Sequence, residues 1–149
     1  MLMKFSIDSS PLYERLTRKS QILIIFGDDN GNKFGYYFNG TVNKLDDWIK
    51  SSGSFMFSLN SNGRFNGMIK FEQKECCYGL WIDKSSSSKM FGLIWGFCIN
   101  KNGHSESKIR EDKFAFDFHG LSNIFLPNSS GGKKWKTFTS KRVTVIQMI

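Results

Sequence analysis

The sequence predicts a mainly β fold (α+β with strand dominant): two antiparallel sheets packed as a β-sandwich, with a few short flanking helices. Three observations carry that prediction. Aromatic and β-branched side chains recur at every second position, which is the period of a strand and not of a helix. Asn-Gly pairs occur five times, at Asn30-Gly31, Asn39-Gly40, Asn62-Gly63, Asn66-Gly67 and Asn102-Gly103. Both residues tolerate the positive φ that tight hairpin turns need. The residue balance agrees: 15 phenylalanines stand against a single alanine, Ala115. Strands favour aromatic residues where helices favour Ala.

The expected elements follow in order. Ser10 and Pro11 open a short helix over LYERLTRK, as N-cap and first helical residue. Gln21 to Phe26 (QILIIF) is an apolar run of the kind found in strands buried on both faces. Phe34 to Phe38 follows one tight turn later, which predicts a hairpin around Asp28 to Gly31. Leu45 to Lys50 has the length of one or two helical turns. Phe55, Phe57 and Leu59 alternate with Met56 and Ser58, and Met68 to Phe71 and Cys77 to Ile82 give two further strands. Met90 to Ile99 is the clearest, with Phe91, Leu93, Trp95, Phe97 and Ile99 on one face. Gly92, Ile94, Gly96 and Cys98 occupy the other, and small residues there point to close backbone approach or a bulge. Lys113 to His119 alternates likewise: Phe114, Phe116 and Phe118 against Ala115, Asp117 and His119. Arg142 to Ile149 closes the chain as a strand. Loops are expected at Ser85 to Ser88, Gly103 to Asp112 and Pro127 to Lys134. About eight strands result, in one domain over 1–149 with a core from about 20 to 148 and an N-terminal extension over 1–19.

At 149 residues such a domain can bury about 70% of its unfolded surface, so folding requires neither disulfide nor metal. A hydrophobic content of 40% excludes general disorder. The three cysteines, Cys76, Cys77 and Cys98, form no disulfide framework. Free thiols fit an intracellular, cytoplasmic or nuclear setting. The N-terminus lacks the apolar run of a signal peptide, and no stretch reaches the ~18 apolar residues of a transmembrane helix. A monomer is expected. The formal charge of +8 serves solubility or attracts an anionic partner.

Little of the usual chemistry is present. Asp28, Asn30 and Asn32 open like a calcium loop, but Lys33 stands where the loop needs Gly and Asn39 where it needs the bidentate Glu. No CxxC pair and no phosphate-binding glycine loop occur. Neither metal nor cofactor is therefore expected. Asp117 and His119, two apart on one strand face, could set up a general base, perhaps beside Cys98; no nucleophile motif accompanies them. The plainer alternative is an exposed polar face. The strongest remaining signal is Lys133, Lys134, Lys136, Lys141 and Arg142, interleaved with Trp135 and Phe138. That combination suits phosphate contacts with base stacking, or a cationic loop leading into a strand whose Trp135 and Phe138 are core. Arg64 and Lys70 could extend the patch.

The order of segments resembles the TLDc domain of the oxidation-resistance proteins, over roughly Gln21 to Met148. The matching pieces are ILIIF before a turn and Phe34-Gly35-Tyr36-Tyr37, similar to the family's Phe-Gly-Gly-Tyr. Trp48 follows, then SFMFSL with Phe55 and Phe57, close to Phe-Leu-Phe-Ser-Leu. FGLIWGFCI with Phe91 and Gly92, FAFDFHGLSNIF with Gly120, and TFTSKRVTVIQM complete the set. The resemblance implies a two-sheet sandwich and a non-catalytic regulatory module that works in oxidative stress through protein contact. It names the vacuolar proton pump as one partner of such modules. The chain departs from the family where members close with Glu-Val and an aromatic; here Thr144, Val145 and Ile146 stand. The alternative function is nucleic-acid binding through the basic C-terminal segment.

Overall fold

Runs of β-branched and aromatic residues are stable as strands when a second apolar face covers them. The computed structural model describes residues 2–6, 15–74, 79–83, 89–93, 96–100, 107–111, 115–127, 135–140 and 142–148. Among them the strands are β1 (Leu2–Ser6), β2 (Ser20–Gly27), β3 (Lys33–Thr41), β4 (Trp48–Ile49), β5 (Phe55–Asn60), β6 (Ile69–Glu72), β7 (Leu80–Ile82), β8 (Lys89–Leu93), β9 (Phe97–Asn100), β10 (Ser107–Ile109), β11 (Lys136–Phe138) and β12 (Arg142–Gln147). They form two six-stranded antiparallel sheets. The first has the order β1-β12-β2-β3-β5-β6 and the second β11-β10-β9-β8-β7-β4. The two-sheet sandwich matches the architecture predicted from the aromatic alternation. The strands are shorter and more numerous than the eight expected. Helix is confined, among the described residues, to Arg15 and Leu16; most of the helix expected after Ser10 lies outside them.

The core sits between the sheets. Ile22, Ile24 and Phe26 of β2 face inward beside Phe34, Tyr36 and Phe38 of β3, all buried. The opposing sheet supplies Phe91, Leu93, Phe97, Ile99 and Phe138, also buried. Phe26 joins the two layers. Its ring lies 5.1 Å from Phe34 within its own sheet and 5.0 Å from Phe97 across the gap. Phe91 and Phe138 complete its shell at 6.2 and 6.3 Å. Tyr36 also reaches Phe97, at 5.7 Å, and its hydroxyl donates to Gln73 Oε1, so the one polar atom of this buried ring is satisfied.

The face of β2 turned away from the core is only half-buried at Leu23 and Ile25, so the run is buried on one face and not on both. Strand β5 also departs from simple expectation. Met56 points into the core, while Phe55 and Phe57 lie on the outer face. Phe57 covers Gly35, the register partner across β3. A Cβ at Gly35 would fall 2.6 Å from that ring and 2.0 Å from the Ile24 carbonyl oxygen, so only glycine fits.

Four local expectations are corrected. Met90 to Ile99 is no single strand but a hairpin, β8 and β9, with Phe91 opposite Ile99 and Leu93 opposite Phe97. A three-residue connection preserves the odd–even pattern, so a folded-back strand and a straight one show the same alternation. Trp95 lies outside the described residues. Of the strand expected over Lys113 to His119, residues 113 and 114 lie outside the described residues and 115–119 form no strand: a lone bridge pairs Phe116 with Gln73. Ala115, Phe116 and Phe118 are all buried, because this irregular segment plugs the sandwich instead of extending a sheet. Phe118 and Phe125 pack on Phe71 at 4.9 and 5.8 Å. Leu45 to Lys50 bends into β4 with no helix, leaving Leu45 exposed and pairing Trp48 with Trp81. Asn39-Gly40 lies within β3, whereas Asn30-Gly31 and Asn62-Gly63 make turns. In addition, β10 occupies part of the loop expected from Gly103 to Asp112.

Phe26→Ala removes a ring that touches both sheets and should lower unfolding free energy by about 3–5 kcal/mol. Phe55→Ala, on the outer face, should cost about 1 kcal/mol or less. Urea unfolding of both variants beside the parent protein measures the difference.

Candidate functional site

Of the five cations singled out in the C-terminal segment, Lys133, Lys134 and Lys141 lie outside the described residues. Arg142 opens β12 opposite Ser6. Lys136 begins β11, and its place is structural. Its ammonium donates to Asn123 Oδ1 at 2.7 Å and to the Leu126 carbonyl at 3.2 Å. Burial draws its pKa below the ordinary lysine value, and nearby Arg64 adds to that while Glu111 opposes it.

Arg64, which the sequence could not locate, lies at the same segment. Its Nε donates to the Asn123 carbonyl at 2.7 Å. One terminal nitrogen donates to Asn32 Oδ1 at 2.7 Å and to the carbonyls of Ile124 and Phe125 at 3.3 and 3.0 Å. Glu111 completes the frame by accepting from the backbone nitrogens of Asn123 and Ile124 at 2.8 and 2.7 Å. Asp28 closes the turn beneath, accepting from the Asn30 and Asn32 nitrogens at 3.1 and 2.9 Å. Desolvation lowers the Arg64 pKa, while Asp28 and Glu111 resist that shift. These charges fasten the plugging segment to the sheets. Lys70 lies elsewhere, over the Phe55 ring at 5.0 Å and 3.7 Å from Glu72.

A different set of residues forms a cleft on the outer face of the second sheet. It encloses about 300 Å³ and is lined by Trp48, Trp81, Asp83, Gly92, Cys98 and Trp135, with β8 and β9 residues Phe91, Leu93 and Phe97 beneath. Register explains it. Trp48 opposes Trp81, Trp81 opposes Gly92, Gly92 opposes Cys98, and Cys98 opposes Lys108. One row across the sheet therefore runs from large rings to small side chains to a cation. Gly92 and Cys98 leave the floor low, and a Cβ at Gly92 would already come within 2.9 Å of the Phe97 carbonyl oxygen. Trp48 and Trp81 meet edge to face at 4.9 Å and make one wall. Trp135 makes the other, with the Arg110 guanidinium 5.2 Å over its ring. Trp135 is half-buried and is not core, unlike Phe138.

Asp117 and His119 do not join this cleft. They sit 3.6 Å apart with side chains 55–58% exposed, and Asp117 Oδ1 accepts from the His119 nitrogen at 3.0 Å. His119 has φ 53° and Gly120 φ 75°, so the pair belongs to a surface turn after the plug. Cys98 lines the cleft but its thiol is directed to Asn100 Oδ1, at 3.6 Å. Cys76 and Cys77 lie outside the described residues. Among the described residues no three His, Cys, Asp or Glu side chains gather as a metal site would need. No helix there is long and apolar enough to cross a membrane. The motif residues serve packing: Phe34 and Phe91 are core, Phe55 stacks on Tyr37 at 5.0 Å, and Phe57 covers Gly35.

Compared with known proteins, the chain matches no family model and no curated sequence. The site therefore rests on its own geometry. Sequence reasoning marked the small residues Gly92 and Cys98 as a place of close approach but did not set Trp81 and Trp48 beside them. The available signal was Trp81 itself, an indole on the strand face opposite Leu80 and Ile82.

Lysine cannot reproduce the forked contacts of Arg64. Arg64→Lys should cost about 1.5–3 kcal/mol, and amide hydrogen exchange at Asn123 and Ile124 should accelerate more than at Ile24 in the central β2.

Proposed function

We propose that this chain is a TLDc-like, non-catalytic contact module that acts through a protein partner in the oxidative-stress response, and that the tryptophan cleft is its recognition surface. The order of sequence segments and the pairing of two antiparallel sheets support the family reading. One observation carries the contact reading: three indoles surround a floor of small residues on the outside of a sheet. Folding alone gains most by placing such rings inward, as it does with Phe91 and Phe97. Tryptophan in a partly desolvated depression is the side chain most often found at the energetic centre of an interface. The exposed Asp117–His119 turn offers no enclosed place for a substrate.

The proton pump is not part of this proposal. The carboxylate suspected of function in the family is replaced here by the β12 residues Thr144 to Ile146, which pair with Ile25 to Leu23. Nucleic-acid binding is the second reading. It is favoured by Trp135, the ring at the heart of the basic segment, which lines the cleft beside Arg110.

Affinity capture from peroxide-treated cells should recover a specific partner with the parent protein and lose it with Trp81→Ala, while the thermal unfolding midpoint of the variant shows that the fold persists. Identical recovery by both proteins removes the cleft from recognition.

A further inference from the structure

We infer that the cleft between Trp81 and Trp135 is a stacking site for an unpaired base of a single-stranded nucleic acid, whose phosphates are met by Lys108 and Arg110. The inference rests on the second reading of the cleft, nucleic-acid recognition in place of a protein partner, and names the chemistry of what enters it.

Shape comes first. At about 300 Å³ the cleft is at the small end of ligand sites. Its floor of Gly92 and Cys98 lets a flat ring approach the sheet between two indole walls. Every base offers a π-face, so indole walls hold bases whatever their sequence.

Charge chooses among flat ligands. Lys108 is exposed and stands in register with Cys98, directly beside the floor. Arg110 lies on Trp135 at the same edge. Among the described residues Asp83 is the sole acidic side chain lining the cleft, and it borders Trp81 at the far end from Lys108. A small organic cation would suit indole faces but meets Lys108 and Arg110. Acidic side chains would suit those cations but carry no ring for the walls. A single strand supplies both rings and phosphates. A duplex keeps its bases stacked on one another and leaves the walls unused.

The probe is a twelve-residue oligothymidylate followed by tryptophan fluorescence. Binding should weaken about 7- to 50-fold between 50 and 200 mM salt, the range for two to four phosphate contacts on a single strand. Trp81→Ala should weaken it about five- to 150-fold. Lys108→Glu should weaken it at least tenfold. Lys70→Glu makes the same charge change on the other sheet and should stay within about twofold. A duplex of equal length should bind at least tenfold less tightly, and polyglutamate should compete poorly. Equal loss with Lys70→Glu and Lys108→Glu overturns the assignment, as does equal affinity for duplex or polyglutamate. Absence of binding also overturns it. If oligothymidylate does not bind while Trp81→Ala still loses its captured partner, base stacking fails alone. If Trp81→Ala changes neither, the cleft fails as a recognition surface.

Discussion

Contact between aromatic rings across the gap between two sheets is the interaction on which the rest depends. Phe26 meets Phe97 from the opposite sheet at 5.0 Å and Phe34 from its own at 5.1 Å. Such pairs add roughly 0.5–1.5 kcal/mol each beyond the area they bury. They also fix which face of each strand turns inward. Once Phe91 and Phe97 are committed to the core, Gly92 and Cys98 must face outward. The cleft is thus a by-product of core packing: the same register that stacks phenylalanines inside leaves a depression outside.

A second constraint operates at the edge of the sandwich. Residues 115–127 have almost no ladder of their own, and Phe116, Phe118, Ile124, Phe125 and Leu126 are nonetheless buried. Their backbone groups need partners, since a buried unpaired amide is costly. Arg64, Glu111 and Lys136 provide them. Three of the chain's charges therefore act as substitutes for missing strand pairing. This accounts for the fate of Lys136, which belongs to a basic run in sequence but to an internal brace in space.

Periodicity made the sandwich legible in the sequence, because alternation over Phe34 to Phe38 and Arg142 to Gln147 admits a strand and no helix. The family resemblance, and not periodicity, marked Phe34, Gly35 and Phe91 as motif positions, and all three are buried. What stayed hidden has a common cause. Alternation records facing, not connectivity, so the turn between Leu93 and Phe97 left no trace. The phenylalanines at 116 and 118 alternate as in a strand, yet Phe116 makes only a lone bridge to Gln73 and the chain turns at His119 with positive φ, so they plug the sandwich. Asn39-Gly40 carried turn chemistry that the long β3 ladder overrode. The candidate site depended on pairing between distant strands: Trp48 reaches Trp81, and Trp135 reaches Arg110, only through register. Local sequence holds no record of that.

The hairpin around position 95 has a consequence for how this surface can vary. Leu93 pairs with Phe97 over a connection of three residues. Residues opposite one another in an antiparallel ladder share a face, so Phe97 and Ile99 stay inside as long as they remain opposite Leu93 and Phe91. A slip of β9 by one residue against β8 would throw both to solvent and drive Cys98 and Asn100 inside. An added residue must therefore be taken up by the connection and not by the ladder, and the depression over Gly92 is inherited together with the interior or lost with it.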